Sequence, residues 1–246
     1  MPGFAGLDTY AFPGDAALAW LKANSNLAWC GYYLAPAPSH QETSWMGRRA
    51  GLVATGWGIA PIYVGQQLAG PGSHIVTAAQ GAIDGGHAAA LMSGEGFPAG
   101  ACVYLDLEDG PPFRSPRTDY VTAWAAAVGA GGYAPGVYCS HAIGEAVHAL
   151  VPRARAWAFK VATTAPHPFP GTNFPDPPPA GCGYTGAYMW QLGQSCRIAL
   201  GTAPGSLEVD LSSAVAPDPG APERRSIPVA AVGPGGDNGR PAGAPP

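Results

Sequence analysis

The chain has 246 residues, enough for one large α/β barrel or two small domains and enough to bury a full core. Only 11% of it is charged and the formal net charge is -4 with no basic block, which leaves electrostatic binding to nucleic acid or an anionic membrane with little support. No apolar run approaches the roughly 18 residues that span a bilayer, and the N-terminus MPGFAGLDTY shows no signal peptide, having neither a basic n-region nor an apolar h-region.

In chain order, short β-rich runs alternate with helical stretches, the pattern of a parallel α/β fold. Eight strands are predicted, at Gly6–Tyr10, Leu27–Leu34, Ile59–Gly65, Cys102–Glu108, Gly136–Ser140, Ala156–Ala162, Ala187–Leu192 and Leu207–Leu211. Eight strands with interposed helices predict a single, irregular (β/α)8 TIM-like barrel over residues 1–214. A first helix is expected over Asp15–Ala23, with Asp15 and Lys22 matching the macrodipole at its two ends. A weaker one over Ile75–Met92 carries a Gly85-Gly86 pair able to interrupt it. A third runs from Pro116 to Val128, with Ser115 as N-cap and Tyr120, Trp124 and Val128 as its inner stripe. Only a short helix fits between Ala142 and Leu150. The proline-rich stretch Ala165–Ala180 can be neither helix nor central strand; it either shapes an active site or makes a surface excursion. From Val215 the chain is rich in Pro, Gly and Ala, and residues 215–246 are expected to form a disordered tail.

The segment Tyr104-Leu105-Asp106-Leu107-Glu108-Asp109 carries the chemistry. Strand side chains alternate faces, so Asp106 and Glu108 share a side while Asp109 turns away to a loop contact. Two carboxylates in a partly desolvated site repel, and one tends to keep its proton at neutral pH. An acid beside a base is the equipment for hydrolysing a glycosidic bond. Barrel sites gather at the strand C-termini. Asp8 on the first strand and Asp210 on the eighth are expected there as well, close together because those strands are neighbours in a closed barrel. A lone acid at a strand end is usually a cap or loop anchor, but burying four carboxylates without cations is costly and points to a use. Tyr10, Tyr33, Tyr63, Tyr138 and Trp190 fall near strand ends and are candidate sugar-stacking rings, with Gln191 beside Trp190; ordinary core packing is the competing reading for each.

Other chemistries fare worse. There is no GxSxG elbow, P-loop or convincing GxGxxG. Cys139-Ser140-His141 are sequence neighbours, whereas triads are assembled in space. The acids could instead hold a divalent cation, the main chemical competitor. Of five cysteines, Cys30, Cys102 and Cys139 read as small core residues. Cys182 and Cys196 could pair if the chain doubles back. The absence of any CxxC argues against structural zinc.

Taken in order, these residues resemble glycoside hydrolase family 25, the lysozyme-like muramidases. The resemblance rests on Gly6-Leu7-Asp8, Asp106-Leu107-Glu108, the Gly136–Ser140 run GVYCS, Trp190-Gln191 and the closing Val209–Ser212 run VDLS. The opening GLDTYAFPG and the run WGIAPIYVGQQ look like the related glycoside-hydrolase-like barrels classed as domain of unknown function 1906. The resemblance implies a muramidase-like enzyme acting on a β-linked amino-sugar polymer, peptidoglycan above all. It assigns Glu108 as general acid, Asp106 as the assisting carboxylate, and Asp8 and Asp210 as accessory acids. Leu192-Gly193-Gln194 departs from the aromatic that the lysozymes commonly carry after Trp-Gln. The expected partner is a polysaccharide, met by a monomer without cofactor or metal, with no nucleic-acid or membrane partner. Localisation is open, although such a substrate points to the cell envelope or beyond it. A glycan-binding barrel without catalysis and an interaction protein acting through its tail are the rival readings.

Overall fold

The computed structural model describes residues 2–163, 168–169, 172–200 and 205–223. The strands among them are β1 (Phe4–Asp8), β2 (Trp29–Tyr33), β3 (Gly58–Tyr63), β4 (Cys102–Asp106), β5 (Ala134–Ser140), β6 (Arg155–Thr163), the two-residue β7 (Pro168–Phe169), β8 (Ala187–Ala199) and β9 (Ser206–Ala214). Strands β1 to β6 pair successively in parallel, β6 pairs in parallel with β8, and β9 closes the ring between β8 and β1. The result is an eight-stranded closed barrel of the α/β class, with β7 riding on β8 outside the ring.

The closing strand departs from a regular (β/α)8 arrangement. β9 is antiparallel to both neighbours. A parallel crossover needs a dozen or more residues, and β8 and β9 are separated only by residues 200–205. Residues 193–199, which follow the predicted seventh strand, are accordingly strand, not helix. β8 and β9 run on past the ring as an antiparallel ladder from Cys196↔Val209 to Ala199↔Ser206.

The helices are α1 (Asp15–Asn24), α2 (Arg49–Ala54), α3 (Ala78–Gly94), α4 (Arg117–Ala130) and α5 (Gly144–Leu150). Tyr120, Trp124 and Val128 form the buried stripe of α4. Pro116 rather than Ser115 is its N-cap; the Ser115 hydroxyl instead donates to Asp119 at 2.6 Å. The glycines of α3 do not interrupt it. A Cβ at Gly85 would lie 2.4 Å from the Trp124 carbonyl oxygen, so the missing side chain lets α3 and α4 approach closely.

Two apolar layers follow from strand alternation. Outward residues such as Leu7, Val103, Leu105 and Val137 pack with the helices. Inward residues Trp29, Ile62, Tyr104, Trp157 and Met189 fill the barrel. Trp157 is the centre of that filling, edge-on to Trp29 and Tyr104 at 5.5 and 5.7 Å. Such large rings need small neighbours: a Cβ at Gly6 would lie 2.1 Å from the Trp29 ring.

Two expectations are decided or changed here. Of the proline-rich stretch, residues 172–180 pack by the N-terminal ends of β1 and β2, away from the mouth, while 165–167 and 170–171 lie outside the described residues. Asn26, just before β2, exchanges hydrogen bonds with Phe174, and Gly3 donates to Asp176 at 2.7 Å. The predicted tail also begins too early. Val215–Glu223 caps the N-terminal end of the barrel. Asp218 accepts from the Ile59 N–H at 2.9 Å and the Gly220 carbonyl from the Cys102 N–H at 2.8 Å. Tyr104 and Arg155 both donate to the Pro219 carbonyl, at 3.0 and 2.7 Å. These partners satisfy backbone and side-chain groups that the parallel strands leave open at that end. The remainder of the predicted tail, 224–246, lies outside the described residues. Cys30, Cys102, Cys139 and Cys182 are buried free thiols, so Cys182 does not pair with Cys196. No helix among the described residues is long and apolar enough to cross a membrane.

Candidate active site

One pocket at the C-terminal end of the parallel strands, of about 70 Å³, is lined by Asp8, Tyr33, Asp106, Glu108, Tyr138, Gln191 and Asp210, together with Ile62, Trp157 and Gln194. All four predicted acids are there. Asp8 is the last residue of β1 and pairs directly with Asp210 in the β1–β9 ladder. The antiparallel sense of β9 thus brings Asp210 to the mouth from the middle of its strand. Asp106 ends β4. Glu108, predicted to be in that strand, stands two residues beyond it and is exposed, still on the Asp106 side as alternation requires.

Asp8 and Asp106 are 6% and 7% exposed. The Tyr33 hydroxyl donates to Asp8 Oδ1 at 3.0 Å. Asp8 Oδ2 and Asp106 Oδ1 are buried without a hydrogen-bond partner. Burial, then the charge of Asp210, holds the Asp8 carboxyl well above the usual carboxylate range. Burial, then Glu108 and Asp210, does the same to Asp106. Asp210 is half-buried and is also pushed up by burial, against the opposing effect of two hydrogen bonds, from Ser195 N–H at 2.8 Å and Gln191 Nε2 at 2.9 Å. The Ser195 donor is aimed by an irregularity of β8, where Ser195 has a φ of 51°. Burial and the neighbouring carboxylates thus favour the protonated forms of Asp106 and Asp8.

The aromatic candidates divide by strand parity. Tyr33 and Tyr138 line the pocket. Tyr63 does not: it follows the inward Ile62, is 0% exposed and packs outward against Trp124 and His87. Trp190 also faces outward, because its neighbour Gln191 faces in; its indole donates to the Lys160 carbonyl at 2.9 Å. Tyr10 lies beyond the end of β1, 60% exposed, with its ring edge-on to His40 at 4.5 Å. Trp157 and Gln194 were missed. Trp157 was legible in principle, since it pairs with Tyr138 between adjacent strands. Gln194 depends on the irregularity in β8, which no alternation rule places.

Asp109 faces away from the pocket and accepts from the Leu68 N–H at 3.2 Å. Gln67 Nε2 donates to the Asp106 carbonyl at 3.0 Å. The loop after β3 thus holds the strand end that carries the acids. Among the described residues, no three His, Cys, Asp or Glu side chains are grouped so as to hold a metal ion. Cys139 packs outward, and Ser140 caps the turn that begins at His141, so these residues do not converge as a triad.

The profile of the Rv2525c-like, glycoside hydrolase-like domain family matches residues 19–182. The chain belongs to that family. Within this glycoside hydrolase-like domain the matched span contains Asp106 and Glu108, whereas Asp8 and Asp210 flank it. Its fold is similar to that of an uncharacterized protein of B. stearothermophilus (TM-score 0.61, 19% identity, 86% of this chain and 96% of that one). It is also similar to a family 25 glycosyl hydrolase from Bacillus anthracis (TM-score 0.54, 12% identity, 87% and 90%). The bacterial lysozyme from Streptomyces coelicolor is comparable (TM-score 0.55, 12% identity, 87% and 93%). At these identities the likeness is one of fold. No curated protein matches the chain.

Proposed function

We propose that this glycoside hydrolase-like domain cleaves a β-linked amino-sugar polymer, peptidoglycan above all, with Glu108 as general acid and Asp106 as assisting carboxylate. The observation that carries the reading is the convergence of Asp8, Asp106, Glu108 and Asp210, from three strands and a loop, in one pocket with two buried carboxyl oxygens unpartnered. A fold keeps such groups at a cost in stability, and a substrate able to pair with them accounts for their retention.

Glu108 stands at the rim, where an incoming glycosidic oxygen meets it first. Asp106, whose protonated form burial favours, offers a hydrogen bond to the carbonyl of a 2-acetamido group or to a water. Tyr33 and Tyr138 present ring surface to the sugar's C–H face. Asp8 and Asp210 keep the floor acidic. The exposure of Glu108 favours one alternative: the same pocket holds a glycan without cleaving it.

Release of reducing ends from purified peptidoglycan and from chitin oligomers separates the two. Loss of about a hundredfold in rate in a folded Glu108→Gln variant supports the enzyme and its acid together. Comparable turnover in both proteins removes Glu108 from that role. Binding without turnover in either leaves the glycan-binding reading.

A further inference from the structure

A second depression adjoins the acidic pocket and has the opposite charge. Glu108 lines the pocket; the next residue, Asp109, lines a groove of about 410 Å³ formed by the β4–α4 loop, with Leu68, Arg114 and Arg117 among its walls. Arg117 is 4% exposed. Its Nη1 donates to the Gly110 carbonyl at 2.8 Å and its Nη2 to the Asp109 carbonyl at 3.3 Å, and the guanidinium lies over the Phe113 ring at 5.2 Å. Its Nε is buried with no hydrogen-bond partner.

The ion pair within 4.0 Å among the described residues is that of Arg48 with Asp15, so neither groove arginine makes one. Burial disfavours the charged form of the Arg117 guanidinium, and Asp109, the groove's carboxylate, opposes that while also accepting from the Leu68 N–H. Two arginines thus face one carboxylate. A buried guanidinium without an ion pair is costly to keep and projects positive potential into the space above it.

We infer that this groove is a subsite for a carboxylate-bearing substituent of the glycan, such as an attached peptide, while the sugar chain occupies the acidic pocket beside it. The inference rests on the glycan reading of the pocket. Arg114, exposed at the groove edge, meets the carboxylate; Arg117 supplies fixed charge from below and also ties down the loop behind Glu108. The acidic pocket repels an anion and the groove attracts one, so the charged substituent is steered to one side and sets the register of the chain.

The test uses the Glu108→Gln protein, to silence turnover, and two probes that differ only in charge: a muramyl disaccharide-peptide with free carboxylates, and the same compound with its carboxylates amidated. Tighter binding of the anionic probe by about tenfold, erased by Arg114→Glu and weakened by salt, is expected, with the amidated probe indifferent to Arg114→Glu. Equal affinities, with Arg114→Glu silent on both probes, overturn the subsite and leave the glycan reading standing. Absence of binding by either probe sinks the glycan reading and the subsite with it.

Discussion

Asp106 and Asp8 are costly residues for the fold, each buried with a carboxyl oxygen that has no hydrogen-bond partner. Burial and neighbouring carboxylates raise the pKa of each in the folded chain. A raised native pKa means that the folded state holds the proton more tightly than the unfolded chain does. The stability so gained is full below the ordinary carboxylate value of about 4 and is lost as pH rises through the native values. Two results follow. The thermal midpoint of the wild-type protein falls as pH rises above the ordinary carboxylate range, and it falls less in an Asp8→Asn/Asp106→Asn double variant, as scanning calorimetry can show. At pH 7, Asp106→Asn alone stabilises the fold by roughly 1–2 kcal/mol, a few degrees, while lowering glycan turnover. An Asp106→Asn protein that melts earlier than wild type at pH 7 argues that the carboxylate is paired with something that holds it ionised.

At the scale of elements, the site depends on glycines that make room for acids. A Cβ at Gly31 on β2 would lie 2.5 Å from Asp8 Cβ and 2.9 Å from Ile62 Cδ1. Gly31→Ala therefore displaces Asp8 from its place beside Asp210, at a cost of about 1–3 kcal/mol of overpacking, and turnover falls with it. Equal melting and equal turnover in the Gly31→Ala protein would mean that β1 and β2 yield without disturbing Asp8. Element existence was largely legible, because period-two alternation marks Val103, Leu105 and the inward Tyr104 and Asp106 without knowledge of their partners. The sense of β9 was not legible. Alternation is the same in parallel and antiparallel strands, and only ring closure shows which way Leu207–Leu211 runs. Site parity failed at Tyr63 and Trp190 for a related reason: nearness to a strand end says a ring is at the mouth, not which face it takes.

At the scale of the whole molecule, the barrel is closed at its base by Val215–Glu223. Truncation after Ala214 strips partners from the Ile59 and Cys102 amides, the Tyr104 hydroxyl and Arg155. Buried groups left without partners cost about 1–3 kcal/mol each, so loss of four such contacts removes most of the stability of an ordinary domain. The truncated protein is expected to be insoluble or molten by circular dichroism and amide exchange, whereas a chain ending at Glu223 keeps every one of these bonds. A cooperative, soluble protein ending at Ala214 would return these residues to the status of a tail.

What the sequence determined by itself is the set of parts: alternating strands and helices, an acidic strand end, the ordered motifs of a hydrolase-like barrel, and four carboxylates at predicted strand ends. These are local properties, written in period, turn chemistry and composition. The tertiary structure decided what locality cannot carry. It set the antiparallel closure that lays Asp210 against Asp8, the burial that raises the Asp106 carboxyl while Glu108 stays exposed, and the use of a Pro- and Gly-rich segment as the floor of the barrel. Each depends on which distant groups share a space, because desolvation and charge–charge repulsion act through distance in the fold and not along the chain.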